Sequence, residues 1–259
     1  MDDLIEKLPP GARILDLGAR TGSFHTDRTD VTVVRLDMEI PETRKSGAYV
    51  SADAARMPFA SGSFGLIVSN HSLEHFRELD ATLREMARVL ARHGAIYIAV
   101  PDVTTLTDRI YRWMARGGGH VNAFRSPAQV IALVEQRTGQ PHRATIVLYS
   151  GLSFLNRHNI KGWPGKKIIF FAFGVEHYLA VLMWLLRRID RAFGTRLSVY
   201  GWTFYFGNAE PARAEEWRNV CVRCGAGHPD ADAAAAAHRL WWGPKAWRCS
   251  LCGGFNLLA

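Results

Sequence analysis

Five short β-prone runs crowd the first hundred residues, and their spacing limits what the chain can fold into more than any other feature. Ile14 to Leu17, Val31 to Leu36, Ala48 to Ser51, Phe64 to Ser69 and Ala95 to Val100 are bounded by Gly, Asp, Ser or Pro. Nearly continuous apolar runs of this length suit parallel strands buried on both faces. Between the fourth and fifth, Phe76, Leu79, Leu83, Met86 and Leu90 recur at three- and four-residue spacing among Arg77, Glu78, Asp80, Arg84 and Arg88. That period predicts an amphipathic helix packed on the sheet and stopped by Gly94. A second helix is expected from Pro127 to Arg137, with Ser126 as N-cap and Gly139 past its end. Ala144 to Tyr149 and Val199 to Phe206 read as two further strands. The alternation predicts an α/β, doubly wound sheet whose ligand crevice lies at the carboxyl ends of its first strands.

All four cysteines fall after position 220, as Cys221-Val-Arg-Cys224-Gly and Cys249-Ser-Leu-Cys252-Gly, separated by 24 residues. Each knuckle can place two thiolates on one tetrahedral ion, and the glycine after the second cysteine leaves room for amide hydrogen bonds to sulfur. The N-terminus, Met-Asp-Asp-Leu-Ile-Glu-Lys, lacks the basic-then-apolar order of a secretory signal, so a cytoplasmic, reducing setting is expected. There the pattern favours metal over disulfides. It resembles a zinc ribbon, with zinc held by Cys221, Cys224, Cys249 and Cys252 in a closed, structural site; a redox dithiol is the alternative. So small a module cannot build a sufficient core unaided, and metal would supply folding energy. Trp241, Trp242 and Trp247 are expected in its core, and His228 or His238 could substitute as a ligand.

Of 259 residues, 32 are Lys or Arg and 24 Asp or Glu, a net charge of +8. The excess is local. Residues 151–206 hold Arg157, Lys161, Lys166, Lys167, Arg187, Arg188, Arg191 and Arg196 against only Glu176 and Asp190, whereas the flanking segments are nearly balanced. Phosphate binding needs Lys and Arg where the contact is made, so the near-neutral cysteine module argues against nucleic acid and for a protein contact. The basic residues bracket an apolar stretch, Ile168 to Leu186, with Glu176 and His177 near its middle. A membrane span is disfavoured by those two residues. The expectation is an interfacial helix or helical hairpin at an anionic membrane surface, or a helix covering one edge of a substrate cavity.

The end of the first strand reads Ile14-Leu15-Asp16-Leu17-Gly18-Ala19-Arg20-Thr21-Gly22, an acid followed by a glycine turn. The second strand ends in Asp37, Ala52-Asp53-Ala54-Ala55-Arg56-Met57-Pro58-Phe59 follows the third, and Phe64-Gly65-Leu66-Ile67-Val68-Ser69-Asn70-His71 forms the fourth. His71-Ser72-Leu73-Glu74-His75 comes next, and Arg88-Val89-Leu90 precedes the fifth strand. This ordered set resembles the class I S-adenosylmethionine-dependent methyltransferases, especially the small-molecule branch typified by ubiquinone- and glycan-modifying enzymes. The resemblance covers roughly residues 11–150, with the last strand at 199–206. It implies a Rossmann-like seven-stranded sheet with S-adenosylmethionine as cofactor. Asp16, Gly18 and Gly22 would hold the methionine end, Asp37 the ribose, Asp53 with the Ala54 amide the adenine edge, and Asn70 the floor. Gly18 could equally serve only the turn and Asp53 only cap the next helix. Arg20 replaces the family's middle glycine, and the segments after Gly22 and after Asp37 are too short for full helices.

Methyl transfer is an in-line displacement, so such an enzyme chiefly aligns the acceptor and removes its proton where needed. His71, at the end of the fourth strand, is the candidate general base, with Glu74 as partner and His75 starting the next helix. His120 follows a glycine-rich hinge suited to a mobile lid, or simply bonds backbone. Ser69-Asn70-His71-Ser72 lacks the Asn/Asp-Pro-Pro-aromatic motif of enzymes that methylate base amino groups. The expected organisation is a methyltransferase domain over 1–206, with the apolar and basic helical insertion at 151–198, a linker at 207–217 and a zinc ribbon at 218–259. The expected activity is methylation, at oxygen, of a small or lipid-linked acceptor such as a glycan, quinone or secondary metabolite. The alternatives are an RNA or protein methyltransferase that uses the ribbon for recognition, and a degenerate scaffold without catalysis.

Overall fold

Each β-prone run becomes a strand, and the connections between them dictate their order. The computed structural model describes residues 1–114, 119–159, 175–209, 211, 217–241 and 243–258. β1 (Arg13–Leu17), β2 (Thr32–Asp37), β3 (Ala48–Ser51), β4 (Phe64–Asn70), β5 (Leu90–Pro101), β6 (His142–Tyr149) and β7 (Val199–Gly207) form one sheet in the order β3-β2-β1-β4-β5-β7-β6. β1 pairs in parallel with both β2 and β4, β2 with β3, and β4 with β5. The chain therefore changes its direction of progress across the sheet between β1 and β4, the place where a crevice opens at the strands' carboxyl ends. Ile14, Leu15, Leu17, Leu66, Ile67 and Val68 are wholly buried, as strands covered on both faces require.

The helices are α1 (Asp2–Glu6), α2 (Leu79–Val89), α3 (Leu106–Met114), α4 (Pro127–Thr138), α5 (Glu176–Phe193) and α6 (Asp230–Ala235). α2 buries Thr82, Leu83, Met86 and Val89 and ends at Val89, five residues before the glycine expected to stop it. Its end is fixed instead by Arg88, whose guanidinium donates to the carbonyls of Phe59 (2.7 Å) and Met57 (3.0 Å) and pairs with Glu85 (2.7 Å). Gly94 lies inside β5, where a Cβ would stand 2.6 Å from the Leu90 side chain. α4 starts as its sequence implies: Ser126 Oγ accepts from the Gln129 amide at 3.3 Å, and Gly139 ends it at φ +68.

Among the described residues no helix joins β1 to β2 or β2 to β3. A buried arginine ties those coil segments together instead. Arg35, opposite Asp16 in the β1–β2 register, is fully buried. It donates to the carbonyls of Ser46 (2.9 Å) and Phe24 (3.0 Å), lies 4.8 Å from the Phe24 ring centroid, and forms an ion pair with Asp16. Every face of the guanidinium is thereby occupied, as burial of a charge demands.

The chain divides into two compact units that do not follow chain order: residues 1–101, 120–146 and 202–214, and residues 102–119, 147–201 and 215–259. In the second, Leu179, Ala180, Met183 and Leu186 of α5 share a core with Leu152, Leu155, Val222, Ala246 and Leu257. The described part of the apolar stretch thus packs against the cysteine-bearing segment, an arrangement that neither expectation for it contained. Lys166, Lys167 and residues 168–174 lie outside the described residues, as do 210 and 212–216 of the expected linker. No described helix is long and apolar enough to cross a membrane.

Candidate functional site

In the first unit a cleft of about 270 Å³ opens at the carboxyl ends of β1, β2 and β3. Its lining includes Gly18, Asp37, Asp53 and Ala54, four of the residues singled out from the sequence, together with Leu36, Met38, His75, Phe76 and Thr82. Asp16 lies beneath the loop, fully buried. One of its oxygens accepts from the Ser23 amide (2.9 Å) and pairs with Arg35, while Oδ1 is buried without a partner among the described residues. Gly22, at φ +112, is hemmed in by Arg35 and Lys45, each 3.0 Å from where a Cβ would be. Asn70 closes β4, half-buried and outside the cleft lining.

Gly18 adopts φ +67, and a Cβ there would fall 2.5 Å from Ser72 Cβ. The glycine is therefore demanded by packing as well as by the turn. Arg20 is also left-handed, at φ +45. Its exposed side chain leaves its amide to donate to Asp37 Oδ2 at 2.8 Å, which holds the loop against the end of β2 without a glycine. Asp53 Oδ1 accepts from the Ala55 amide at 2.9 Å and closes a turn; no helix follows for it to cap among the described residues before β4. Its Oδ2 and the Ala54 N–H make no hydrogen bond to any described residue. An acceptor and a donor on neighbouring residues thus stand unpaired at the cleft.

His71 has φ +54, its amide bonded to the Ala99 carbonyl at 2.9 Å. A non-glycine residue held in this region is strained, and such residues concentrate at functional sites. Burial, then the charges of His120 and His75, pull its imidazole down to about 4, so it is neutral at pH 7. Its Nδ1 lies 3.9 Å from the buried Glu74 carboxylate. Glu74, His75 and His120 bring one carboxylate oxygen and two imidazole nitrogens within 4.8 Å of one another. The His120 loop is tied down. Asn122 Nδ2 donates to the carbonyls of Leu73 (2.9 Å) and Phe76 (2.7 Å), and the Val121 and Asn122 amides donate to Glu74 O (2.8 and 3.0 Å). A freely moving lid at these positions would have to break four hydrogen bonds; Gly117 and Gly118 of the expected hinge lie outside the described residues.

In the second unit the four cysteines meet. Cys221 and Cys252 Sγ are 3.6 Å apart, Cys224 and Cys249 Sγ 3.7 Å, and all four lie within 4.8 Å of one another. Disulfide sulfurs stand about 2.04 Å apart, whereas thiolates at about 2.3 Å from one tetrahedral zinc are separated by about 3.8 Å. The Arg223 amide and Asn256 Nδ2 approach Cys221 Sγ at 3.3 and 3.6 Å, and His228 Nε2 lies 3.2 Å from Cys249 Sγ. His228 sits beside the four sulfurs rather than in place of one, and His238 is exposed. Trp247 is buried as expected, but Trp241 is 96% exposed and belongs to no core; Trp242 lies outside the described residues.

The sequence missed Arg35, the Asn122 tether and the cleft-lining Met38, and it placed Phe76 on the helix that begins only at Leu79. An arginine inside an otherwise apolar strand run was the one available signal for the first.

Residues 15–98 match the family described as "Methyltransferase domain". The chain is 38% identical over 98 residues to a demethylmenaquinone methyltransferase of Beutenbergia cavernae, covering 35% of this chain and 41% of the relative. It is 34% identical over 136 residues to a malonyl-[acyl-carrier protein] O-methyltransferase of Methylococcus capsulatus, covering 47% and 50%. The chain thus spans half or less of the length of these curated relatives. Among solved structures it is similar to a SAM-dependent methyltransferase from Archaeoglobus fulgidus, with TM-score 0.52 and 14% identity over 79% of this chain and 90% of that one. It is also similar to a candidate antibiotic-pathway methyltransferase of Anabaena variabilis, with TM-score 0.54 and 18% identity over 80% and 96%. These likenesses establish the class I methyltransferase fold.

Proposed function

We propose that this chain, whose residues 15–98 form a methyltransferase domain on a class I fold, methylates a small or lipid-linked acceptor using S-adenosylmethionine. The observation that carries the reading is the unpaired Asp53 Oδ2 beside the unpaired Ala54 N–H in the cleft. This acceptor–donor pair fits the amino group and ring nitrogen of an adenine. Asp37, positioned by the Arg20 amide, has acceptor capacity for a ribose diol, and Leu36, Met38 and Phe76 give the cleft apolar walls. Asp16, Gly18 and Gly22 would shape the turn for the methionine end, whereas Asn70, expected at the floor, stands outside the cleft lining. The bound cofactor supplies an activated methyl group on a sulfonium centre. His71, neutral at pH 7, accepts a hydrogen bond from the acceptor and orients it. A base with so low a pKa removes a proton only weakly, so positioning supplies most of the rate. The Arg20 geometry favours this reading over a scaffold without cofactor, because the loop is held without the missing glycine.

One relative's printed name, a malonyl-[acyl-carrier protein] O-methyltransferase, supports oxygen of a carrier-linked acceptor as the methylated atom, while the other names a quinone substrate class without the atom. Zinc at Cys221, Cys224, Cys249 and Cys252 would be structural, since four thiolates close its coordination shell. Tyr178, Leu185, Ile189 and Phe193 form an exposed stripe on α5 flanked by Arg188, which suits peripheral contact with an anionic membrane. Trp241 and Leu251 offer a protein partner an apolar surface on the cysteine module.

The test is to incubate the protein with methyl-labelled S-adenosylmethionine and a cell extract and to follow the label. Incorporation into solvent-extractable lipid or small molecules is expected. Label confined to precipitated RNA or protein would contradict the acceptor class. Metal analysis should find one zinc per chain, lost in the C221S/C224S variant.

A further inference from the structure

Besides the four cysteines, one other group of metal-ligating side chains converges among the described residues: Glu74, His75 and His120, all in the first unit. Glu74 and His75 sit on the short helical turn Leu73–His75 that follows β4, and His120 comes from a loop far along the chain. The turn is fixed from below, where the Ser72 hydroxyl donates to the Leu17 carbonyl (2.8 Å) and the His75 amide donates to Ser72 O (3.0 Å). The loop is fixed to the turn in its own right. The Val121 and Asn122 amides donate to Glu74 O, and Asn122 Nδ2 donates to the carbonyls of Leu73 and Phe76. All of these bonds use groups other than the candidate ligand atoms, so the fold holds the three side chains together independently of any attraction between them. Such support from surrounding hydrogen bonds is what a binding constellation requires.

One carboxylate oxygen and two imidazole nitrogens lie within 4.8 Å of one another. Nitrogen and oxygen ligands about 2.0–2.2 Å from one ion stand about 3.0–3.4 Å apart, so less than about 2 Å of side-chain movement brings all three onto it. His75, the exposed member, has that freedom, and its ring already meets the His120 ring edge to face, with centroids 4.8 Å apart. Glu74 is buried and His120 half-buried, which leaves His75 as the way in from solvent. Each imidazole has two nitrogens and the carboxylate two oxygens. One atom from each can therefore ligate while the others keep their contacts within the fold, the usual situation of a metal-bound histidine. Two imidazoles and one carboxylate suit a divalent transition metal, whereas magnesium and calcium take oxygen ligands.

We propose that Glu74, His75 and His120 bind a divalent transition-metal ion at the edge of the cleft that His75 lines. Three protein ligands leave coordination positions open, in contrast to the closed set of four thiolates in the second unit. An ion held this way polarises an oxygen that enters its shell. The acceptor it favours therefore carries a hydroxyl, carbonyl or carboxylate oxygen able to coordinate metal. The metal site stands without the methyl-transfer reading; only this acceptor role rests on it.

The experiment is a calorimetric titration of the full chain, its cysteines loaded with zinc, with cobalt(II) chloride. Thiolates select zinc and retain it, so cobalt reports the second site. One saturable equivalent is expected, weakened more than a hundredfold in H75Q and in H120Q, since losing an outer-shell partner alone costs about 10- to 100-fold. H75Q replaces an exposed residue, which keeps the test clear of folding damage. H25Q removes a surface imidazole 3.7 Å from Asp27 and should bind cobalt as wild type does. Cobalt should also raise the urea midpoint of the wild type but not of H75Q. In the labelled-methyl assay with extract freed of metal, cobalt should raise incorporation by the wild type and not by H120Q. Bound cobalt with unchanged incorporation would overturn the acceptor role, whereas cobalt binding without S-adenosylmethionine binding would overturn the methyl-transfer reading and leave the site. The site itself is overturned if cobalt does not saturate at millimolar concentration, if H75Q and H120Q bind as wild type does, or if H25Q weakens binding as much as they do.

Discussion

Replacing Gly18 with alanine separates two reasons for a glycine at the β1 turn. The new methyl carbon would lie 2.5 Å from Ser72 Cβ, 3.2 Å from Ser72 Oγ and 3.3 Å from the Phe76 ring. Ser72 cannot yield, because its hydroxyl donates to the Leu17 carbonyl at 2.8 Å and shares a 2.6 Å hydrogen bond with Ser69. Forcing a methyl into packed surroundings costs about 1–3 kcal/mol. Holding an L-residue at φ +67 adds about 1–2 kcal/mol. G18A should therefore lose about 2–5 kcal/mol of stability, read from urea unfolding of wild type, G18A, S72G and the double variant. S72G removes the carbon that alanine would strike, so the cycle should show a favourable coupling of about 1–3 kcal/mol, the steric part alone. A loss in G18A below about 1 kcal/mol, or a coupling near zero, would refute the packing argument and leave ligand approach as the glycine's main purpose.

Breaking the Asp16–Arg35 pair with R35M strands a carboxylate in the sheet and should cost about 3–5 kcal/mol by the same unfolding assay; a loss typical of surface sites would mean the pair is hydrated. Glu176, on α5, accepts from Arg223 Nε at 2.6 Å and from the Phe255 amide. Burial raises its pKa, but these hydrogen bonds win and leave it below its ordinary 4.5. A carboxylate depressed on folding stabilises above its unfolded pKa, so this contribution should be complete at pH 6 and fade as pH falls below 4.5; E176Q should flatten that slope. For His71, whose imidazole is lowered to about 4, the pH–rate profile should show no step of its own between pH 5 and 8. A step near 6.5 that vanishes in H71N would contradict its neutral, orienting role.

The strands were legible because an apolar run bounded by turn residues has few alternatives, and α4 because Ser126 and Gly139 mark its ends locally. The end of α2 was not, since it depends on Arg88 reaching two carbonyls about thirty residues away. Arg35 shows the same limit: its burial follows from facing Asp16 across the β1–β2 register, which local spacing does not contain. At the cleft, Gly18, Asp37, Asp53 and Ala54 converge as their positions at successive strand ends imply. Met38 went unnoticed, and Phe76 was assigned to the face of α2 although it precedes that helix and lines the cleft, because apolar residues beside a turn look like core. The partner of the apolar helix was hidden for a further reason: α5 packs on Val222, Ala246 and Leu257, which lie far along the chain.

The most direct test of the account is a calorimetric titration of the purified chain with S-adenosylmethionine, repeated with D37A. The wild type should bind one equivalent saturably, and removing the Asp37 carboxylate should weaken binding about ten- to a hundredfold, the loss of charge-assisted hydrogen bonds to the ribose. No saturable heat at millimolar cofactor, or D37A binding as tightly as wild type, would contradict it.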